Sequence, residues 1–281
     1  MKQEFTRIAV KVGSNVLARR DGTLDVTRMS ALVDQIAELN KSGVEIILIS
    51  SGAVASGRSE IHPQKKLDSV DQRQLFSAVG QAKLINRYYE LFREHGIAVG
   101  QVLTTKENFS TRRHYLNQKN CMTVMLENGV IPIVNENDTV ATHEIEIGDN
   151  DTLSAIVASM IGADLLILLS DIDGLYTDDP RANPDAEFIE TVEHLDESFL
   201  RMGKSTTGSG VGTGGMSTKL TAATIATASG ADMVIANSKD VRIIHRIIDG
   251  ENYGTLFLAE KQDAFDLPDF VENLHSCRER G

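Results

Sequence analysis

Residues 45–57 read EIILISSGAVASG, an apolar run of strand length that passes without a spacer into serine, glycine and alanine. Ile46, Ile47, Leu48 and Ile49 are consecutive, so an extended chain would place apolar side chains on both of its faces. Water tolerates that only if both faces are covered, as in a parallel strand inside an α/β sheet. In such a sheet, ligands bind beyond the carboxyl ends of the strands. The small residues of SSGAVASG stand at that end.

Runs of the same kind recur on either side: RIAVKV at Arg7–Val12, AVGQVL at 98–103, VIPIVN at 130–135, LLILLS at Leu165–Ser170 and DMVIAN at Asp232–Asn237. Between the first two strands Met29, Leu32, Val33, Ile36 and Leu39 recur at helical spacing. Asp25 or Thr27 can cap that helix, and Gly43 stands where a glycine would stop it. Further helices are expected over 71–95, from the Asp149-Asn150-Asp151 run to about Gly162, and from Met216 to about Gly230. The alternation predicts a three-layer αβα sandwich around a mainly parallel central sheet. Residues 1–258 read as one domain, with the polar tail 259–281 packed on it. Only 139–147 (TVATHEIEI) breaks the pattern, and its partial alternation predicts an extended hairpin arm edging a site.

Composition narrows the function. The net charge of −12 argues against nucleic acid, which requires a basic face. No run approaches the roughly 18 apolar residues of a membrane span, and MKQEFTRIAV lacks the apolar stretch of a signal peptide. A cytoplasmic protein is expected. Cys121 and Cys277 suggest no disulfide framework, and the seven histidines form no ligand pair for a protein-held transition metal. If so acidic a chain binds an anion, its positive potential must be concentrated locally, in lysines and backbone N–H groups.

The strand ends supply such places. Lys11-Val12-Gly13 can present an ammonium group to a phosphate across a tight turn, although a solvated lysine in a common turn has the same sequence. Ser50 to Gly57 offers donors and room for an anion; close packing of backbone would also demand small residues. Asn135-Glu136-Asn137-Asp138 suits a turn or a pocket for an ammonium group. In Gly148-Asp149-Asn150-Asp151 a helix cap accounts for one polar residue but hardly three. Asp149 and Asp151 repel unless a cation, lysine or Mg²⁺, lies between them. Ser170 and Asp171 end the fifth strand in what is equally a turn or a set of acceptors for a nucleotide. Residues 208–219 (GSGVGTGGMSTK) run into a helix whose first turns carry Lys219, an arrangement suited to phosphates. It is neither the Walker pattern nor a dinucleotide fingerprint.

Together these segments resemble the amino-acid-kinase family, which opens with a lysine–glycine strand end and closes its nucleotide site with a GTGGMxTK-like run. The phrases SSGAVASG, VNENDTVAT, GDNDTLSA and GLYTDDPR are similar to those of its glutamate-phosphorylating branch. The resemblance implies that Lys11 and Lys219 contact the phosphates and the transferring phosphoryl group, with Asp151 holding both lysines. It implies that Ser51, Asp138 and Asn150 bind L-glutamate, Asp138 facing the α-ammonium group. Lys11, Ser170, Asp171, Thr213, Gly214, Gly215, Met216, Ser217, Thr218 and Lys219 would line the ATP site, with Mg²⁺ held mainly by the ATP phosphates. Related chains often carry threonine and lysine where this one has Ser170 and Asp173; the acid is expected to weaken ATP binding. Many also carry a C-terminal domain resembling an RNA-binding module (PUA), which this sequence is expected to lack.

The implied reaction gives γ-glutamyl phosphate, the first step toward proline. Proline is then the expected feedback inhibitor, glutamyl-phosphate reductase a candidate partner, and a homodimer or homotetramer the expected assembly. Two alternatives remain: a kinase for another small acid such as aspartate or N-acetylglutamate, and a catalytically silent amino-acid sensor. Retention of Lys11, Asp151 and Lys219 together counts against the sensor.

Overall fold

The first strand, β1 (Arg7–Val12), is followed by a single turn of helix, α1 (Ser14–Leu17), and then by α2 (Val26–Lys41). In α2 the Asp25 side chain accepts from the Arg28 N–H, and Gly43 takes a positive φ of 98° just beyond the last turn. Next come β2 (Glu45–Ser50), α3 (Ala53–Glu60), α4 (Ser69–Glu94), β3 (Ala98–Thr104), α5 (Glu107–Ser110), α6 (Arg112–Glu127) and β4 (Val130–Glu136). The chain continues through α7 (Asn150–Ile161), β5 (Leu165–Ser170), the small strands β6 (Leu175–Tyr176), β7 (Phe188–Ile189) and β8 (Thr191–Val192), and α8 (Met216–Ala228). It ends in β9 (Asp232–Asn237), α9 (Ile243–Ile248), β10 (Thr255–Phe257) and α10 (Leu267–Glu272). This computed structural model describes residues 5–19, 21–141, 147–196, 198–200, 215–240, 242–251 and 253–273.

Eight strands form one sheet in the order β3-β4-β2-β1-β5-β9-β10-β8. All neighbours are parallel except β9 and β10. The six apolar runs make its centre and one edge, while β8 and β10 extend the other edge with strands too short to have a pattern. Helices cover both faces, as the double-sided burial of the strands requires.

The two faces divide by residue parity. Ile8, Val10 and Val12 of β1, Ile46 and Leu48 of β2, and Ile131 and Ile133 of β4 pack with Leu32 and Ile36 of α2 and Tyr88 and Phe92 of α4. Their neighbours Ala9, Ile47, Ile49 and Val134 pack on the opposite face with Leu153 and Ile156 of α7 and Leu220 of α8. Leu267 and Val271 of α10 join this second cluster. Successive strand residues point to opposite faces, so Lys11 and Ser51 belong to the α7/α8 face, and Ser50 and Asn135 to the α4 face.

Two segments are decided only by the structure. Residues 53–57, which suited either room for an anion or close backbone packing, begin α3, which lies against α4 closely enough to exclude any side chain at the crossing. A Cβ on Gly57 would fall 1.8 Å from the Phe76 carbonyl oxygen, and one on Gly80 would fall 1.8 Å from that of Ala53. The small residues there serve helix packing; the site uses only the strand end before them. Helix α6 has no apolar stripe to announce it, since only Met122 and Leu126 of its sixteen residues are buried. Of the arm expected over 139–147, residues 142–146 lie outside the described residues.

Candidate active site

The carboxyl ends of β1, β2, β4 and β5 meet the N-termini of α7 and α8, and the charged centre forms there. Lys11 extends from β1 on the α7/α8 face. Its Nζ lies 2.5 Å from Oδ1 of Asp151, in the first turn of α7, while Nζ of Lys219, in the second turn of α8, lies 3.0 Å from Oδ2. Asp151 is 1% exposed, Lys11 8% and Lys219 5%. Burial alone would push the Asp151 carboxyl up, but the ammonium groups of Lys11 and Lys219 outweigh it and hold the group far below the usual carboxylate range. One carboxylate between two cations leaves a net buried positive charge at the sheet's ligand-binding end. In a chain of net charge −12, that is the local potential an anionic substrate requires.

Asp149 and Asp151 avoid mutual repulsion by separate means. Asp149 caps α7, its Oδ1 accepting from the Thr152 N–H at 2.7 Å and its Oδ2 from the Thr152 hydroxyl at 2.9 Å. Its charge rests on the positive end of the helix, and that of Asp151 rests on the lysines.

On one side of this centre the polar groups form a continuous chain. The Asn150 side-chain amide donates to Ser51 Oγ at 2.7 Å and to Asn135 Oδ1 at 3.0 Å, and the Asn135 amide donates to Gln81 Oε1 at 2.9 Å. The chain crosses β2, α7, β4 and α4. Gly52 makes the turn after Ser51 at φ 108°, a conformation that favours glycine. Glu136 receives the backbone N–H groups of Ile147 and Gly148 and so anchors the approach to α7. Asp138 lies with Oδ1 3.8 Å from Nε of Arg73.

The other side is more open. Ser170 donates to Asp171 Oδ1 at 3.2 Å, and Asn15 donates to Asp171 Oδ2 at 3.1 Å. Asp173 accepts from the Asn237 amide at 2.6 Å, and Asp171 and Asp173 are both exposed. Helix α8 follows Gly215, whose lack of a side chain leaves its first-turn N–H groups without an N-cap side-chain acceptor at that position. The Thr218 hydroxyl lies 2.8 Å from the Gly215 carbonyl oxygen and 3.1 Å from Asp151 Oδ2. Met216 and Ser217 complete this turn. Thr213, Gly214 and the glycines before them lie outside the described residues.

The structure thus gathers Lys11, Asp151, Thr218 and Lys219 at one point and Ser51 and Asn150 beside it, with Ser170 and Asp171 at the neighbouring strand end. Sequence reasoning did not single out Gln81, Asn15 or Asn237. Gln81 carried a usable signal: it occupies the same stripe of α4 as Leu84 and Tyr88, where the helical period calls for an apolar residue, and it is buried. Asn15 and Asn237 are partners only through the side-by-side arrangement of β1, β5 and β9, which no local pattern encodes.

A buried lysine–aspartate–lysine clamp at the carboxyl end of a parallel sheet, beside an uncapped helix N-terminus, is a constellation for phosphoryl transfer. The chain belongs to the amino acid kinase family, whose sequence profile matches residues 6–237. Within it, the glutamate 5-kinase of Bacteroides thetaiotaomicron is 73% identical over 246 residues, covering 87% of this chain and 67% of that protein. The glutamate 5-kinase of Clostridium acetobutylicum is 44% identical over 256 residues, covering 91% of this chain and 96% of that one. Among solved structures, a UMP kinase from Bacillus anthracis superposes with a TM-score of 0.64 at 16% identity, covering 92% of this chain and 98% of that one. At so low an identity the likeness concerns the fold alone.

Proposed function

We propose that this chain transfers the γ-phosphoryl group of ATP to the side-chain carboxylate of L-glutamate, giving γ-glutamyl phosphate and ADP, the first step of proline biosynthesis. The observation that carries the reading is the Lys11–Asp151–Lys219 clamp beside the Ser51–Asn150 pair. The 73% identity to a glutamate 5-kinase supports the choice of acceptor.

The acceptor carboxylate, with a pKa of about 4.3 in a free side chain, is already ionised at neutral pH and needs no general base. One of its oxygens attacks the γ-phosphorus while the bond from that phosphorus to the bridging oxygen of ADP breaks. The barrier lies in bringing two anions together and in stabilising charge on the phosphoryl oxygens. Lys11 and Lys219 meet that need in a buried setting, where their charges are screened little by water. Asp151 fixes both ammonium groups in advance, so they do not reorganise during transfer. Ser51 and Asn150 bind glutamate, Asp138 receives its α-ammonium group, and Ser170, Asp171, Thr213, Gly214, Gly215 and the start of α8 from Met216 to Lys219 receive the nucleotide.

The fit for Mg²⁺ is to the nucleotide rather than to the protein. Asp149 is committed to capping α7 and Asp151 to the lysines, and among the described residues no group of three His, Cys, Asp or Glu side chains gathers to hold an ion. Mg²⁺ bound to the ATP phosphates would neutralise part of their charge there. Proline, with glutamate's α-amino and α-carboxylate groups, is the feedback inhibitor of this reading and competes near the Asp138 pocket. The site of action is the cytoplasm; among the described residues no helix is long and apolar enough to cross a membrane.

The test is ATP- and Mg²⁺-dependent formation of γ-glutamyl hydroxamate from L-glutamate and hydroxylamine, with Lys219→Ala as control. Product from the native chain and a loss on the order of 10²-fold or more in the variant are expected. Binding of both substrates without product overturns the reading in favour of a silent sensor. Product from aspartate or N-acetylglutamate but not glutamate overturns the acceptor assignment.

A further inference from the structure

Helix α4 touches the acceptor side from behind at two points. The Tyr88 hydroxyl lies 2.9 Å from Ser50 Oγ, both groups buried, and Gln81 Oε1 accepts from the Asn135 amide at 2.9 Å. Gln81 and Tyr88 are about two turns apart on α4 and so share a face. Closeness of the helix to the site follows from the bare crossing of α3 and α4, where Gly80, the residue before Gln81, admits no side chain.

We propose that Gln81 is a positioning residue for the acceptor: through Asn135 and Asn150 it sets the direction of the hydrogen-bond chain that ends at Ser51, leaving the Ser51 hydroxyl hydrogen free for a substrate carboxylate. The inference rests on the proposed function for the identity of the acceptor. Its logic is one of donor count. With Gln81 Oε1 accepting, Asn135 must turn its NH₂ toward α4 and its carbonyl oxygen toward Asn150. Asn150 then spends both amide hydrogens, one on Asn135 and one on Ser51 Oγ. Ser51 is thereby an acceptor within the protein, and its single hydroxyl hydrogen remains for an outside anion. Reversing Asn135 would set two NH₂ groups face to face. Asn150 would have to reverse as well, and its carbonyl oxygen would then take the Ser51 hydrogen. A buried acceptor at position 81 selects the productive direction; without it the two directions compete, and the site spends part of its time with no donor for the acceptor carboxylate.

The Gln81→Met variant keeps the length of the side chain and removes the acceptor. It is expected to raise the glutamate KM about tenfold, in line with losing one hydrogen bond to a charged group, while the ATP KM and the thermal midpoint stay near those of the native chain. Gln81→Glu, which keeps a carbonyl-type acceptor in either protonation state, is expected to restore most of the glutamate KM. In a Ser51→Ala background, Gln81→Met is expected to add little, because the group it orients is gone. A glutamate KM within twofold of native in Gln81→Met, an equal rise in both KM values, no rescue by Gln81→Glu, or full additivity with Ser51→Ala would each overturn the proposal. Should Gln81→Met fail to fold, Gln81→Glu decides alone, a tenfold rise in glutamate KM counting against it. Native turnover is measured first, so that absence of product counts against the function; the same comparisons are then made on glutamate affinity by calorimetry.

Discussion

On the acceptor side of the site, Ser51, Asn150, Asn135 and Gln81 form one chain of side-chain hydrogen bonds whose three links are 2.7, 3.0 and 2.9 Å long. On the nucleotide side, Asp171 and Asp173 are exposed, Asp171 accepting from Asn15 and Ser170 and Asp173 from Asn237, and α8 begins at a glycine that offers no side-chain cap. A small amino acid has few groups, and selecting it requires each to meet a partner of fixed direction. A nucleotide triphosphate brings several negative charges, which backbone N–H groups and lysines attract without a directional network. Side chains on the acceptor side are therefore expected to be intolerant and individually decisive, and those on the nucleotide side individually weak. Between them stands Asp151, which belongs to both.

The sharpest way to break this comparison is at its centre. Asp151→Asn leaves two buried ammonium groups without their counter-ion, and removing one partner of a buried pair costs about 3–5 kcal/mol. Turnover is expected to fall by about 10²-fold or more, with a lower urea midpoint in the absence of substrates. The sign of the pH effect follows from the depressed pKa of Asp151. A carboxyl whose folded pKa lies below its unfolded value stabilises the fold above the unfolded pKa of about 3.9, and the contribution is lost as pH falls toward the folded value. The native chain should lose stability below about pH 4 more steeply than Asp151→Asn; parallel curves would mean the clamp does not hold in solution.

Next in size is Gly80→Ala, which places a methyl against backbone at the α3/α4 crossing. Overpacking of this kind costs about 1–3 kcal/mol, and because α4 carries Gln81, the glutamate KM should rise more than the ATP KM. Asp138→Asn tests the ammonium partner: a rise of about tenfold in glutamate KM, with the ATP KM unchanged, is expected from losing one charge-assisted hydrogen bond. The smallest effect is at Asp173→Asn. Removing an exposed acid beside the nucleotide should lower the ATP KM by about twofold, since exposed charges contribute little. A tenfold change there would show the nucleotide side to be as particular as the acceptor side.

Much of this was legible in the sequence. The apolar runs located the six long strands to within a residue or two; for all but β3, where only Val102 and Thr104 are buried, the signal was burial on both faces. Lys11, Asp151 and Lys219 stood out as charges placed at strand or helix ends. Residues 53–57 show the limit of such reading. Small residues suit both an anion cradle and two helices in backbone contact, and only the position of α4 decides for the second. For β8, β10 and α6 the pattern was too short or too weakly buried to carry information.

The sequence by itself determined the parallel sheet, the order of its helices and the inventory of charged and amide groups at the strand ends. Tertiary structure alone decided which face each of those groups joined. Strands covered on both sides carry no period-two signal, so nothing local told Lys11 to point toward α7 and α8 or Asn135 toward α4. That choice is made when helices pack and assign parity, and it is what sets one aspartate between two lysines and one glutamine behind the acceptor.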